Sequence, residues 1–253
     1  MQTCPERAPA ARPGPAGPRV RIRPYAPADE PALRDICFAT GFLGAPVPGW
    51  LDVNRALFTD VWLLYYLTQE PQHTFVAEVD GRVAGYLTGC ADTARRQRFM
   101  RTVFPLHFLR SCLNGTYRFG PRTLRVLLRA LRDRLTVGFP SVPWRRWPAH
   151  AHYNMRAEYR GLAARTGLAL MQTCARVFLD RGITRAHGLV VMSKEEVGRR
   201  YRNLAAVHDC RRTTLFQGAD PRELFLVSLV ADFSGRSSHR YWQKFDGAHP
   251  SAT

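Results

Sequence analysis

Two histidines, an asparagine, a glutamate and an Arg-Gly pair fall within twelve residues: His150-Ala-His152-Tyr-Asn154-Met155-Arg156-Ala-Glu158-Tyr159-Arg160-Gly161. Imidazole and carboxylate groups move protons near neutral pH, and a guanidinium suits an anion. Residues 150–155 read as a strand, on which His150 and His152 share a face. The apolar run from Thr166 to Leu179 predicts a helix reaching about Asp180 and closed by Gly182. A strand that ends in an Arg-Gly loop and enters a helix turns unpaired N–H groups toward an anion at the helix start. Phosphates and diphosphates are natural guests there. His152 and Glu158 are candidate bases, each with a plainer reading as a hydrogen-bonded structural imidazole or a surface charge. His208-Asp209-Cys210 superficially suggests nucleophilic catalysis, but no motif surrounds it.

A second concentration of chemistry lies upstream. The formal net charge is +17, unevenly spread. Residues 92–147 hold 13 arginines against only Asp92 and Asp133, a net +11, whereas residues 1–91 hold 8 basic and 9 acidic side chains. Arg122, Arg125, Arg129 and Arg132 recur along one face of a helix predicted over 122–135, with Leu124, Leu127, Leu128, Leu131 and Leu135 on another. Arg145 and Arg146 sit between Trp144 and Trp147, rings that stack on bases or cover a core edge. These six arginines are candidate contacts for a polyanion such as nucleic acid. A solvated helix face is the bland alternative, although such faces usually mix charge signs.

The elements that must position these groups follow from pattern. At 253 residues and 45% hydrophobic content the chain can bury a sizeable core. It has no uncharged apolar run of 18 residues, so no spanning helix and no membrane partner are expected. Met1 to Pro18 lacks the apolar block of a secretion signal and reads as a disordered tail. Six scattered cysteines without a CxxC pair fit reduced thiols and a cytoplasmic location, and no metal site is expected. A strand is predicted over 20–25, then a helix opening near Asp29 and a second over 52–67. Strands over 74–79 and 82–89 flank the hairpin signal Asp80-Gly81. The stretch 93–113 reads as helical with an interruption at Pro105. After 150–155 come a strand over 186–191, a helix from Ser193 to about Ala206 opened by a Ser193/Glu196 capping box, and strands over 213–216 and 224–231. The sum is one α/β (α+β) domain over 19–233, a mixed sheet of about seven strands flanked by helices. Residues 92–147 form an Arg-rich helical insertion, and 234–253 a C-terminal tail.

The order β-α-α-β-β, then β-α-β-α-β-β, resembles the GNAT superfamily of N-acyltransferases. Within it, Gly85-Tyr-Leu-Thr-Gly-Cys-Ala-Asp92 and His-x-His-x-Asn-x-x-x-Glu-Tyr-Arg-Gly at 150–161 are similar to bacterial acetyltransferases like the C-terminal domain of O-GlcNAcase. The resemblance implies an acyl donor, acetyl-CoA or another acyl-CoA, lying between strands 150–155 and 186–191. Backbone groups of Asn154, Met155 and Arg156 would pair with its pantetheine arm. Amides from Arg160 to Thr166, including Gly161, Ala163 and Arg165, would hold its diphosphate. It also implies direct transfer to the amine of a small-molecule acceptor, with Tyr201 as the acid for the leaving thiolate. The usual Arg-Gly-x-Gly-x-Gly loop is altered here, with Ala163 and Arg165 replacing two glycines. Alanine obstructs the loop mildly; Arg165 obstructs it more, but brings a phosphate-binding charge. One alternative keeps the fold and takes aminoacyl-tRNA as donor, gripped by the insertion. Another is a non-catalytic binding domain. Neither the acceptor nor the oligomeric state is legible.

Overall fold

The computed structural model describes residues 17–47, 49, 54–138, 140–193, 196, 206–214 and 223–234, with the backbone alone for Arg122 and Arg160. Nearly all of both expected tails, and most of the helix expected over 193–206, lie outside the described residues. Seven strands form one sheet: β1 (Val20–Pro24), β2 (Thr74–Val79), β3 (Arg82–Cys90), β4 (Ala149–Met155), β5 (Arg185–Ser193), β6 (Ala206–Arg212) and β7 (Leu224–Asp232). Their spatial order is β1-β2-β3-β4-β5-β7-β6, antiparallel throughout except for the parallel pair β4–β5. Five helices accompany them among the described residues: α1 (Glu30–Ala39), α2 (Arg55–Gln69), α3 (Thr93–Leu113), α4 (Pro121–Thr136) and α5 (Arg160–Leu179).

The central strands are apolar on both faces because both faces are covered. Phe75, Ala77 and Leu87 meet Leu170, Cys174 and Phe178 of α5. Their neighbours Val76 and Tyr86 point the other way, onto Leu33, Ile36 and Cys37 of α1 and Leu63 and Leu67 of α2. The β2–β3 turn has positive φ at both Asp80 (50°) and Gly81 (77°), the hairpin conformation this dipeptide predicts.

Four boundaries differ from the sequence reading. Helix α2 starts at Arg55, where Asn54 Oδ1 accepts from the Leu57 N–H at 2.9 Å. Helix α3 runs unbroken through Pro105; the carbonyl deprived of its partner belongs to Arg101, on the exposed side of the helix. Helix α5 begins at Arg160 rather than near Thr166. Its Gly167 is a packing glycine: a Cβ there would lie 2.9 Å from Tyr153 Oη. The last sheet edge is β6 at 206–212, carrying His208, Asp209 and Cys210, and Thr213 lies beyond it. This edge strand is exposed and charged, without the apolar alternation a half-buried strand would show.

Two carboxylates dock the insertion. Asp60 of α2, 6% exposed, accepts from Arg34 Nη1 (2.6 Å), His107 Nε2 (2.9 Å) and Tyr117 Oη (2.5 Å). Asp133 of α4, 2% exposed, accepts from Thr213 Oγ1 (2.7 Å), Thr214 N (2.8 Å) and Thr214 Oγ1 (2.6 Å) beyond β6. The leucines predicted to line one side of α4 face outward.

Candidate active site

Strands β4 and β5 stay together for only two residue pairs, Ala149–Ala186 and His150–His187. Beyond them β4 keeps its ladder with β3 as far as Met155, and β5 keeps its own with β7 as far as Ser193. Each strand follows its antiparallel partner, and a gap opens between them. Alternation decides which main-chain groups of β4 face it. The Arg156 N–H donates to Ala84 O at 2.9 Å, so the backbone groups of Asn154 and His152 also turn toward β3. Those of Ala151, Tyr153 and Met155 turn toward the gap; the Ala151 carbonyl lies 3.2 Å from where a Cβ on Gly188 would sit. Of the three residues expected to offer backbone to a pantetheine arm, Met155 faces the gap, while Asn154 and Arg156 turn theirs toward β3. Tyr153 is the residue the sequence reading passed over.

Past β4 a single 3-10 turn, Ala157–Tyr159, leads into α5. The N–H groups of Arg160, Gly161 and Leu162 occupy the first turn, where α-helical acceptors are lacking. Ala163, Arg165 and Thr166 lie deeper, so their amides belong to the helix ladder and do not form a loop around an anion. Thr166 is fully buried and not presented outward. The Ala163 side chain packs against the cluster of Val79, Ala84 and Met155, so replacing glycine there obstructs nothing. Arg165 is exposed, four residues after Gly161, and helical side chains lean toward the N-terminus. Glu158, on the 3-10 turn, is exposed.

The face of β4 turned toward α2 carries His150, His152 and Asn154. Tyr66 Oη and His150 Nδ1 lie 2.7 Å apart. Asn154 Nδ2 lies 2.8 Å from Tyr86 Oη and 2.9 Å from His152 Nε2, donating to both, while Trp62 stacks on His152 with ring centroids 4.9 Å apart. His187 of β5 meets His150 edge to face at 4.9 Å. Thr93 Oγ1 donates to Pro148 O (2.7 Å), so it accepts from His187 Nε2 (2.9 Å), which fixes that tautomer. Burial, and after it the charge of Arg96, depress all three imidazoles: His150 well below its ordinary range, His152 and His187 to about 4. All three are neutral at physiological pH. Arg96 stands with its Cζ 5.4 Å from the Tyr66 ring centroid and its buried Nε lacking a partner among the described residues. Sequence reasoning counted Arg96 only as one arginine of many. The inward spacing Thr93, Arg96, Phe99 marks it as facing the sheet.

Other candidates fall elsewhere. Trp147 is buried against Val142 and Val230, with Trp144 beside them, so these rings cover a core edge. Arg145 and Arg146 are exposed, as are Arg125 and Arg132. Asp209 is engaged with the Cys210 amide and Arg211, and no nucleophile–base pair forms on β6. Tyr201 lies outside the described residues.

No protein-family profile and no curated protein matches the chain. Among solved structures it is similar to SsHAT at 25% identity and a TM-score of 0.60, covering 86% of this chain and 100% of that one. An agmatine N-acetyltransferase matches at 17% identity and 0.50, covering 84% and 99%. A polyamine N-acetyltransferase of Drosophila melanogaster matches at 15% and 0.50, covering 85% and 100%. The structural neighbours are acetyltransferases of the GNAT fold, and this chain has that fold.

Proposed function

We propose that the chain is an N-acyltransferase that passes an acyl group from an acyl-CoA, acetyl-CoA foremost, to the amine of a small molecule. The observation that carries this reading is the parting of β4 and β5 beside the start of α5. It turns main-chain groups of Tyr153 and Met155 toward the gap along one wall. Those groups suit the amides of a pantetheine arm. The first-turn amides of Gly161 and Leu162, with the exposed Arg165 leaning back toward them, suit a diphosphate. When bound, an acyl-CoA supplies an activated thioester carbonyl.

The chain's own residues then manage protons. His152 is neutral, and among the described residues its Nε2 lone pair is held by the Asn154 amide, which can let go. We assign it removal of the amine proton, directly or through one water. Burial, and after it the charge of Arg96, keeps its basicity low; an anionic ligand on Arg96 would relieve the second of these. His150 and His187, tied to Tyr66 and Thr93, hold the wall in place. Exposed Glu158, beside the first turn of α5, is poorly placed to serve as base. Tyr201 keeps the role of acid for the leaving thiolate. The aminoacyl-tRNA alternative would use the arginines of the insertion but leaves its outward leucines without a role.

Titration calorimetry with acetyl-CoA tests the donor: micromolar affinity is expected, and no heat at millimolar concentration removes the reading. Tyr201→Phe should slow turnover by about 10²-fold or more; an unchanged rate retires that residue as the acid.

A further inference from the structure

The outer surface of the insertion is both greasy and cationic. On α4 the inward face consists of Thr123, Val126, Ala130 and Asp133. Leu124, Leu127, Leu128, Leu131 and Leu135, one stripe at helical spacing, are 38–76% exposed. On α3, Val103, Leu106, Leu109 and Leu113 are 47–81% exposed, and Phe119, between the two helices, is 42% exposed. Arg125, Arg132 and Arg134 are exposed beside the leucine stripe of α4. The two aspartates of residues 92–147 do not offset this charge. Asp92 accepts from the Ala94 and Arg95 amides at the start of α3, and Asp133 is buried against Thr213 and Thr214.

We infer that this insertion is a docking surface for an anionic lipid bilayer, on which the protein lies without crossing. A helix with a leucine face and an arginine-rich flank sits in the headgroup layer, its apolar side chains reaching the acyl boundary and its guanidiniums meeting lipid phosphates. At 16 residues α4 is about 24 Å long, enough for several lipids and too short to span. No described helix is long and apolar enough to cross a membrane, and lying on one does not require it. Charge selects this occupant over a second copy of the chain, which would set +11 against +11. The leucines select it over nucleic acid, whose phosphates offer them nothing. Two helices exposing separate stripes call for a broad surface, whereas an acidic partner helix would cover one. The inference stands independently of the acyltransfer reading.

Co-sedimentation of the full chain with vesicles tests it. The protein should pellet with phosphatidylcholine vesicles containing phosphatidylglycerol and stay in solution with phosphatidylcholine alone. Part of the binding should survive high salt, because the leucines contribute without charge. The triple variant Leu124→Ser, Leu128→Ser, Leu131→Ser should weaken partitioning at least about tenfold. Arg125→Glu with Arg132→Glu should weaken it comparably, with thermal melting by circular dichroism confirming that each variant folds. Failure of the native protein to pellet would overturn the inference. So would complete release by salt together with undiminished binding by the leucine variant, which would mean a purely ionic contact of the kind nucleic acid makes. A dimer in sedimentation velocity that the leucine variant abolishes would assign the face to a second copy instead.

Discussion

The sheet and the insertion solve the problem of burial in opposite ways. Around β2, β3 and β4 the fold hides its bulk, with Tyr66, Tyr86, Phe178 and Leu63 at most 1% exposed. It also keeps His150, His152 and His187 uncharged. In the insertion the leucines of α4 are outside, and two buried carboxylates, Asp60 of α2 and Asp133 of α4, serve as the pegs. One region is held by apolar contact over a wide area, the other by a smaller apolar contact through Phe99, Met100 and Phe104 and by directional bonds to carboxylates. Loss of one directional peg should therefore free a whole helix, whereas loss of one apolar contact should weaken everything together.

Three measurements press on that contrast. Phe178→Ala should cost the most, about 3–5 kcal/mol, and lower the whole denaturation midpoint in a single transition. Asp60→Ala should cost about 2–3 kcal/mol, since it removes the acceptor shared by His107, Tyr117 and Arg34, the last of which keeps Glu30 and Thr59. Hydrogen exchange should locate that loss in 93–118 while β2 and β3 stay protected; uniform loss of protection would mean that the two regions are not separable. Smallest is Ala163→Gly, about 1 kcal/mol from helix propensity, with acetyl-CoA affinity unchanged; tighter binding would show that the methyl does obstruct the ligand.

A pH titration sharpens the same contrast. His152 and His187 titrate near 4 in the fold and near 6.5 in the free chain, and burial depresses His150 well below its ordinary range too. Unfolded chains therefore bind protons that the folded protein refuses, and this stabilisation is whole above about 6.5 and lost as pH falls toward 4. Burial pushes the Glu70 carboxyl up, but bonds from His73, Ala91 and Tyr65 outweigh it and hold it at about 2. Its contribution is present above about 4.5 and fades as pH falls toward 2. Denaturant midpoints should drop in two stages; a flat response between 6.5 and 4 would mean the imidazoles are not neutral and buried.

The sheet was legible because its strands announce themselves locally. Asp80-Gly81 needs only its own dihedrals, and β2, β3 and β7 are dense in residues that favour strands. The predicted histidine face also came out on the same side as Asn154. What could not be read was anything set by a distant neighbour. Gly167 shows no packing role until the Tyr153 ring is seen against it. Asn154 and Arg156 look available until β3 claims their main-chain groups, with Ala84 opposite Arg156 and Tyr86 opposite Asn154. The charge of Arg96 is one of many until Thr93 and Phe99 turn it inward. The leucines of α4 read as core by period alone, since period reports that a stripe exists and not what lies opposite.

The seam between β4 and β5 has a mechanical meaning. Four strands form one leaf and three form another, and the spine that binds them is two rungs long. A guest wedged between the leaves would supply the missing rungs and clasp them shut. The empty protein should therefore breathe along that spine more than anywhere else in the sheet.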